Sequence, residues 1–149
     1  MRAIVQRVDY AKLFIDNTLH CQINQGILIF IGIRQSDDDK IIKWMINKLA
    51  NLRLFNDNDE KMNLSVKEIG GDIMLVSNFT LYGDARKGFR PSYTQAAQPE
   101  FAEPFYDKFV NEFVKEYPEL KIVSGVFGAM MNIELVNNGP VTILIEKEN

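Results

Sequence analysis

The sequence predicts an α+β protein, on two observations. Strand-like segments cluster at the two ends of the chain, over residues 2–33 and 131–146, with shorter ones at 72–77 and 120–124. Only two stretches, about 38–52 and 100–117, have the length and apolar spacing of helices. Strands and helices do not alternate as they would in a wound βαβ sheet. A chain of 149 residues suits one domain, spanning 1–149, and a domain of that size buries roughly 70% of its unfolded surface.

The first strands read as Ala3–Val8, Lys12–Ile15, Leu19–Ile23 and Gly26–Ile33. The last is an unbroken apolar run, the mark of a strand buried on both faces. Asp16-Asn17 and Asn24-Gln25-Gly26 between them are turn signals. Ser36-Asp37-Asp38-Asp39 caps the first helix, because hydroxyl and carboxylate oxygens accept from free N–H groups and acids suit the positive dipole end. Ile41, Ile42, Met45, Ile46 and Leu49 then follow helical spacing. Residues 56–71 read as polar loop, Asp72–Ser77 as a short strand, and 82–98 as a turn-rich segment. Pro99 opens the second helix, with Phe105, Phe109, Phe113 and Val114 among its apolar positions, and Pro118 stops it. Leu120–Ser124 is strand-like. Residues 133–136 and 141–146 read as two strands of a hairpin joined by Asn137-Asn138-Gly139-Pro140. Gly beside Pro immediately before a return strand is unusual for a plain hairpin.

Composition narrows the function. Hydrophobic residues at 46% and charged ones at 25% are ordinary for a soluble globular chain. No apolar run spans a membrane, and Met1–Val8 has neither the apolar core nor the cleavage site of a signal peptide. The single Cys21 cannot pair within the chain. These features point to the cytoplasm. A net charge of −3 argues against coating nucleic acid through a broad basic face, but leaves room for a local patch that holds one strand end.

The titratable inventory is thin. His20 is the only histidine, so any Ser-His or Cys-His device must use it. In a regular strand Cys21 faces the other way. One His and one Cys exclude the common zinc patterns, so no metal or other cofactor is expected. Asp37-Asp38-Asp39 reads as a helix cap, Asn56–Glu60 as a solvated loop, and Gly70-Gly71 as a turn. What remains is polar and backbone-rich. Ser77-Asn78-Phe79-Thr80-Leu81 ends a buried strand with two hydroxyls and an amide. Arg86-Lys87-Gly88-Phe89-Arg90-Pro91-Ser92 sets three cations around an aromatic ring, which suits a solvated loop or contact with phosphates and bases.

These segments carry a resemblance. Met1–Val8, Ser77-Asn78-Phe79-Thr80-Leu81, Lys87-Gly88-Phe89-Arg90-Pro91-Ser92, Gly125-Val126-Phe127-Gly128-Ala129-Met130-Met131 and Asn137-Asn138-Gly139-Pro140-Val141-Thr142 come in order. Each is similar to a motif of the D-aminoacyl-tRNA (D-tyrosyl-tRNA) deacylases, and the resemblance covers essentially the whole chain. Asn78 stands where that family usually has Gln, and Phe89 where many members carry Arg.

The resemblance implies a layered β/β/α sandwich and a homodimer with its active sites at the subunit interface. It implies a cis Gly139-Pro140 peptide whose tip enters the partner's site. From sequence alone a trans peptide is the default. The implied reaction is hydrolysis of the ester joining an amino acid to the terminal ribose of tRNA, with the aminoacylated 3′ end as the partner. The tip would accept the substrate α-amino group, leave room for a D side chain and block an L one; glycyl-tRNA would be hydrolysed too. The implied catalytic segment is Ser77, Asn78, Phe79 and Thr80, with oxyanion donors at backbone N–H groups near Phe79. Thr80 is a nucleophile or a positioner, the latter preferred because no base stands nearby in sequence; the ribose 2′-OH could orient the water. Phe127 and Met131 would line an adenosine pocket, and Lys87 and Arg90 would meet phosphates. Two other readings stay open: a paralogue tolerant of L substrates, and a non-catalytic tRNA- or DNA-binding module.

Overall fold

A computed structural model describes residues 1–148. Its elements are strands β1 (Arg2–Ile15), β2 (Thr18–Ile23) and β3 (Gly26–Gly32), helix α1 (Asp39–Asn51), strands β4 (Arg53–Asn56), β5 (Met62–Ser65) and β6 (Asp72–Ser77), helix α2 (Pro99–Glu116), and strands β7 (Ile122–Ser124) and β8 (Met131–Glu146). A 3-10 turn covers Phe79–Tyr82. Six strands form one mixed sheet, in which β3, β6 and β7 run parallel; β4 and β5 form a separate hairpin.

β1 organises the sheet. One edge pairs with β8 from Arg2↔Glu146 to Ile15↔Met131. The other edge pairs with β3 over residues 2–8 and with β2 over 11–15. The two segments predicted at 3–8 and 12–15 are thus one strand. Asp16 and Asn17 turn the chain tightly, both with positive φ. Asn24-Gln25, expected to turn the chain back, does not. β2 and β3 continue in one direction along β1, and the pairs Ala11↔Ile23 and Val8↔Gly26 belong to a single register. Asn24 and Gln25 leave the ladder because Asp72 takes their hydrogen bonds. Its carboxylate accepts from the Asn24 N–H (2.9 Å), and its own N–H donates to the Gln25 carbonyl (3.0 Å).

The predicted 133–146 hairpin is also one strand. Val8 pairs with Asn137 and Gln6 with Thr142, so three extra residues of β8 loop out between them. A turn-like Asn-Asn-Gly-Pro serves a bulge as well as a reversal, and only the continuous partner β1 decides between them.

The central strands are buried on both faces, as their apolar run requires. Ile27, Ile29, Ile31, Ile73 and Leu75 face the helices, where they meet Ile42, Met45, Phe109 and Phe113. Leu28, Met74 and Val76 face the far halves of β1, β2 and β8, through Leu13, Ile23 and Ile133. The result is a β/β/α layering around one helix-side core and one sheet-side core. Asp38 caps α1, accepting from the Lys40 and Ile41 N–H groups. Asp37 is instead buried and accepts from the Met1 amino group at 2.6 Å, and Asp39 pairs with Lys108. Val114, expected on the apolar face of α2, is exposed.

The loop expected at 56–71 contains the β4–β5 hairpin. Its strands have four residues each, too short to show alternation. Asp57 builds its turn by accepting from Asp59 N, Lys61 N and Asn63 Nδ2. Those bonds, the Asn63 one foremost, hold the Asp57 carboxyl below its ordinary pKa.

Candidate active site

Ser77 is the last residue of β6 and pairs with Ile31. The chain then turns over the end of β3. Gly32 permits this approach, since a Cβ there would lie 3.1 Å from the Leu81 Cβ and 3.2 Å from the Tyr82 ring. The Asn78 N–H donates to the Ile31 carbonyl at 2.7 Å. Its side-chain oxygen caps the 3-10 turn, accepting from the Thr80 N–H at 3.1 Å and the Thr80 hydroxyl at 2.5 Å. Leu81 N–H reaches back to the Asn78 carbonyl. The Phe79 N–H makes no hydrogen bond among the described residues, as befits the first residue of a helical turn. The segment therefore offers one unspent backbone donor, at Phe79. Thr80's hydroxyl is committed to an amide oxygen, which is no base.

A small pocket of about 50 Å3 opens here, lined by Ile31, Ile33, Ser77, Asn78, Phe79, Ala97, Ala102 and Phe127. Tyr106 of α2, which carries no signal in the sequence, ties α2 to the strand that leads into the pocket and packs beside Phe127. Its buried hydroxyl donates to the Leu75 carbonyl at 2.9 Å, and the Gly125 N–H donates to the same oxygen at 2.9 Å. Burial drives the Tyr106 pKa well above its ordinary value. Its ring lies 6.3 Å from that of Phe127. Phe127 thus reaches the pocket. Met131 does not: it packs on the far side of the sheet, with its sulfur over Gly125.

The Asn138–Pro140 bulge is built differently. Asn137 closes its neck, donating from Nδ2 to the carbonyls of Arg7 and Val141, both at 3.0 Å. Its Oδ1 accepts from Gln6 and Thr142. Arg7 donates through Nε to the Asn138 carbonyl (3.3 Å) and through Nη1 to the Leu54 carbonyl (2.6 Å), tying the bulge to β4. Asn138 donates to the Asp9 carboxylate. At the tip Gly139 has φ 118° and the Gly139-Pro140 peptide is cis. Both tip residues are exposed. Strand spacings separate this tip from the pocket of its own chain. It lies beside Arg7 and three strand steps from β6, while Ser77 is level with Ala3. At about 4.8 Å per strand and 3.3 Å per residue, the two are on the order of 20 Å apart.

Lys87 and Arg90 are exposed in a loop that the reciprocal Asp84–Ser92 backbone pair closes, at 2.8 and 2.9 Å. Arg86 bonds Asp84 through side chain and backbone and holds its carboxyl down, to about 2. Neither Lys87 nor Arg90 has an ion-pair partner among the described residues. A wider cleft of about 500 Å3, lined by Arg2, Tyr82, Asp84, Arg86 and Gln95 among others, lies at the foot of this loop.

His20 and Cys21 do not face opposite ways as expected. Leu13 pairs with Cys21 and Phe14 with Leu19, so His20 is a bulge residue. The His20 Nε2 lies 3.2 Å from the Ser124 carbonyl, and the Cys21 sulfur 3.7 Å from the same oxygen. The described residues contain no group of three or more His, Cys, Asp or Glu side chains placed to hold a metal ion. No helix among them is long and apolar enough to cross a membrane.

Comparison with known proteins places the chain in a family. The sequence profile described as D-Tyr-tRNA(Tyr) deacylase matches residues 4–146. A D-aminoacyl-tRNA deacylase of Desulfotalea psychrophila is 47% identical over 148 residues, 99% of this chain and 98% of that one. A solved structure described as c-Myc DNA Unwinding Element Binding Protein superposes with TM-score 0.94 at 37% identity, covering 100% of both chains. A second, of a probable eukaryotic D-amino acid tRNA deacylase, shares the fold, with TM-score 0.83 at 18% identity and 97% coverage of both. With the profile spanning nearly all of its strands and helices, the chain belongs to the D-Tyr-tRNA(Tyr) deacylase family.

Proposed function

We propose that this protein hydrolyses the ester of D-aminoacyl-tRNA, releasing the D-amino acid and tRNA, and acts likewise on glycyl-tRNA, including glycine mischarged on tRNA(Ala). Besides family membership, one observation carries the reading. A turn with a single unspent N–H, at Phe79, stands at a pocket beside Phe127, while an exposed, tightly held Gly139-Pro140 tip lies too far away to reach it. A second copy of the chain supplies the missing half. In a two-fold dimer each tip enters the other subunit's pocket, giving two composite sites.

The chemistry then rests on position. An aminoacyl ester is labile, so orientation and one oxyanion donor suffice to accelerate its hydrolysis. The Phe79 N–H is that donor. Asn78 acts by capping the turn, which needs only its short side chain. Thr80 is a positioner, with Ser77 as the strand-end anchor, and the ribose 2′-OH orients the attacking water. The reaction uses no metal or other cofactor. Backbone carbonyls at the tip accept the α-amino group, and an L side chain would collide with the Gly139-Pro140 backbone. Phe127 lies against the terminal adenosine, and Met131 supports the loop that carries it. Lys87 and Arg90 meet acceptor phosphates. This is chiral proofreading for translation, carried out in the cytoplasm.

Release of amino acid from D-tyrosyl-, L-tyrosyl- and glycyl-tRNA tests the reading. We expect the D and glycyl esters to be cleaved and the L ester spared. Equal cleavage of both tyrosyl isomers would favour a tolerant paralogue. Retention of RNA or DNA without cleavage would favour a binding module, a reading to which the likeness to a DNA-element-binding protein lends weight.

A further inference from the structure

Phe89 stands apart from every other aromatic residue of the molecule. It is fully exposed, at 107% of its reference area, at the tip of the loop closed by Asp84 and Ser92. Isolated exposed apolar residues are common. This one has three features that point to a ligand. Lys87 and Arg90 flank it, and neither has an ion-pair partner among the described residues, whereas Arg86 is neutralised by Asp84. Gly88 precedes it with φ 67°, and a Cβ added there would meet no atom within 4 Å, so the ring projects from an open turn. The base of the loop is fixed to the candidate active site: Tyr93 packs edge-on against Phe79 at 5.0 Å, and the Gly83 N–H donates to the Thr80 carbonyl at 2.9 Å.

An aromatic face between two free cations is the chemistry of a single-stranded nucleic-acid platform: the ring stacks on a base and the cations follow the backbone. Length supports the match. Phe89 lies five residues from Asp84 and three from Ser92, so the shorter arm limits its reach from the closure to roughly 10 Å. Stacked nucleotides rise about 3.4 Å each, so this spans about three of them. We propose that Phe89 stacks on an unpaired nucleobase of the RNA 3′ tail, a few nucleotides before the esterified adenosine. It thereby sets how far the tail enters the site. This rests on the function proposed above and extends it to a named contact.

The test uses the whole protein with two hairpin RNAs, one carrying a four-nucleotide unpaired 3′ tail with 2-aminopurine in it and one blunt-ended. Wild type should bind the tailed RNA more tightly and quench the probe. Phe89→Ala should weaken tailed binding by roughly 5- to 100-fold, leave blunt binding unchanged and abolish quenching, and Phe89→Trp should restore both. In deacylation the loss should fall on KM and not on kcat. Equal losses on both RNAs, or no loss, would overturn the proposal. So would a change in sedimentation, which would assign Phe89 to a protein contact. A wild type that quenches the probe but releases no amino acid would sink the enzymatic reading and keep the stacking contact. A wild type that cleaves D esters with Phe89→Ala indistinguishable from it would do the reverse.

Discussion

The two halves of the candidate site are held in opposite ways. The Ser77–Tyr82 half is shaped by its own neighbours: one amide, Asn78, caps the turn and secures Thr80 twice within two residues, while the bonds from Asn78 N–H to Ile31 and from Arg2 to Leu81 seat the finished turn on the sheet. The Asn137–Thr142 half closes its neck through Asn137, but is otherwise held from a distance. Gln6, Arg7 and Asp9 lie about 130 positions away in sequence, and Arg7 passes the load to Leu54 on another hairpin. A locally capped turn tolerates changes around it, whereas a bulge tied to β1 and β4 moves when any tie is cut. The difference fits the work proposed for each half. Donating one N–H requires only a turn. Excluding an L side chain requires a backbone that does not yield.

The largest expected effect tests the pocket half from the RNA side. A tRNA ending in 2′-deoxyadenosine, charged on its 3′-OH, should be cleaved about 100- to 1,000-fold more slowly, the cost of losing one well-placed group in the transition state. Full activity on it would return the chemistry to the protein. Next comes the tip. A Cβ on Gly139 would lie 2.7 Å from the Val141 N and Cγ2 at a φ of 118°. Gly139→Val should therefore displace the tip and slow D-ester turnover by about 100-fold, since misplacement of an ångström costs that much. Single-turnover rates measure both.

Arg7→Ala separates holding from contact. It removes two donors to backbone carbonyls without touching the tip's own atoms. Stability should fall by about 1–3 kcal/mol in urea titrations. The ratio of D to L cleavage should fall by about tenfold as the tip loosens. An unchanged ratio would mean that Asn137 alone fixes the bulge. The smallest effect belongs to the locally capped half. Thr80→Ala keeps the Thr80 N–H bond to Asn78 and loses only the hydroxyl, so turnover should fall by less than about tenfold. A dead variant with a trappable acyl-enzyme would make Thr80 the nucleophile.

The same division explains what is legible in the sequence. Ser77–Thr80 is readable because a strand end and its Asn cap are set by adjacent residues. The Asp38 cap and the spacing of α1 are readable for that reason too. The tip is visible as Asn-Asn-Gly-Pro, yet its setting is not. Those residues suit both a reversal and a bulge, and the choice lies in pairing with β1, far away in sequence. The Asn24-Gln25 kink resembles a turn for a similar reason, because the Asp72 carboxylate and amide that draw it out of the ladder belong to a later strand. Arg7 and Tyr106 carry no signal. An Arg in a strand and a Tyr on a helix are ordinary until the carbonyls they bind, Leu54 and Leu75, are known. A regular period of two sets His20 and Cys21 on opposite faces, and one bulge residue undoes it.

The central claim is that pocket and tip meet across two copies of the chain, and subunit mixing tests it most directly. One variant carries a disabled pocket, Phe79→Pro, which removes the proposed N–H donor; the other carries the disabled tip, Gly139→Val. Each alone should be nearly inactive on D-tyrosyl-tRNA. Unfolded and refolded together, half of the dimers should be mixed, and each mixed dimer should join one intact pocket to one intact tip. Activity should then return to about a quarter of wild type. A mixture no more active than its two components, with dimers present by sedimentation, would mean that each site is completed within one chain and would contradict the account.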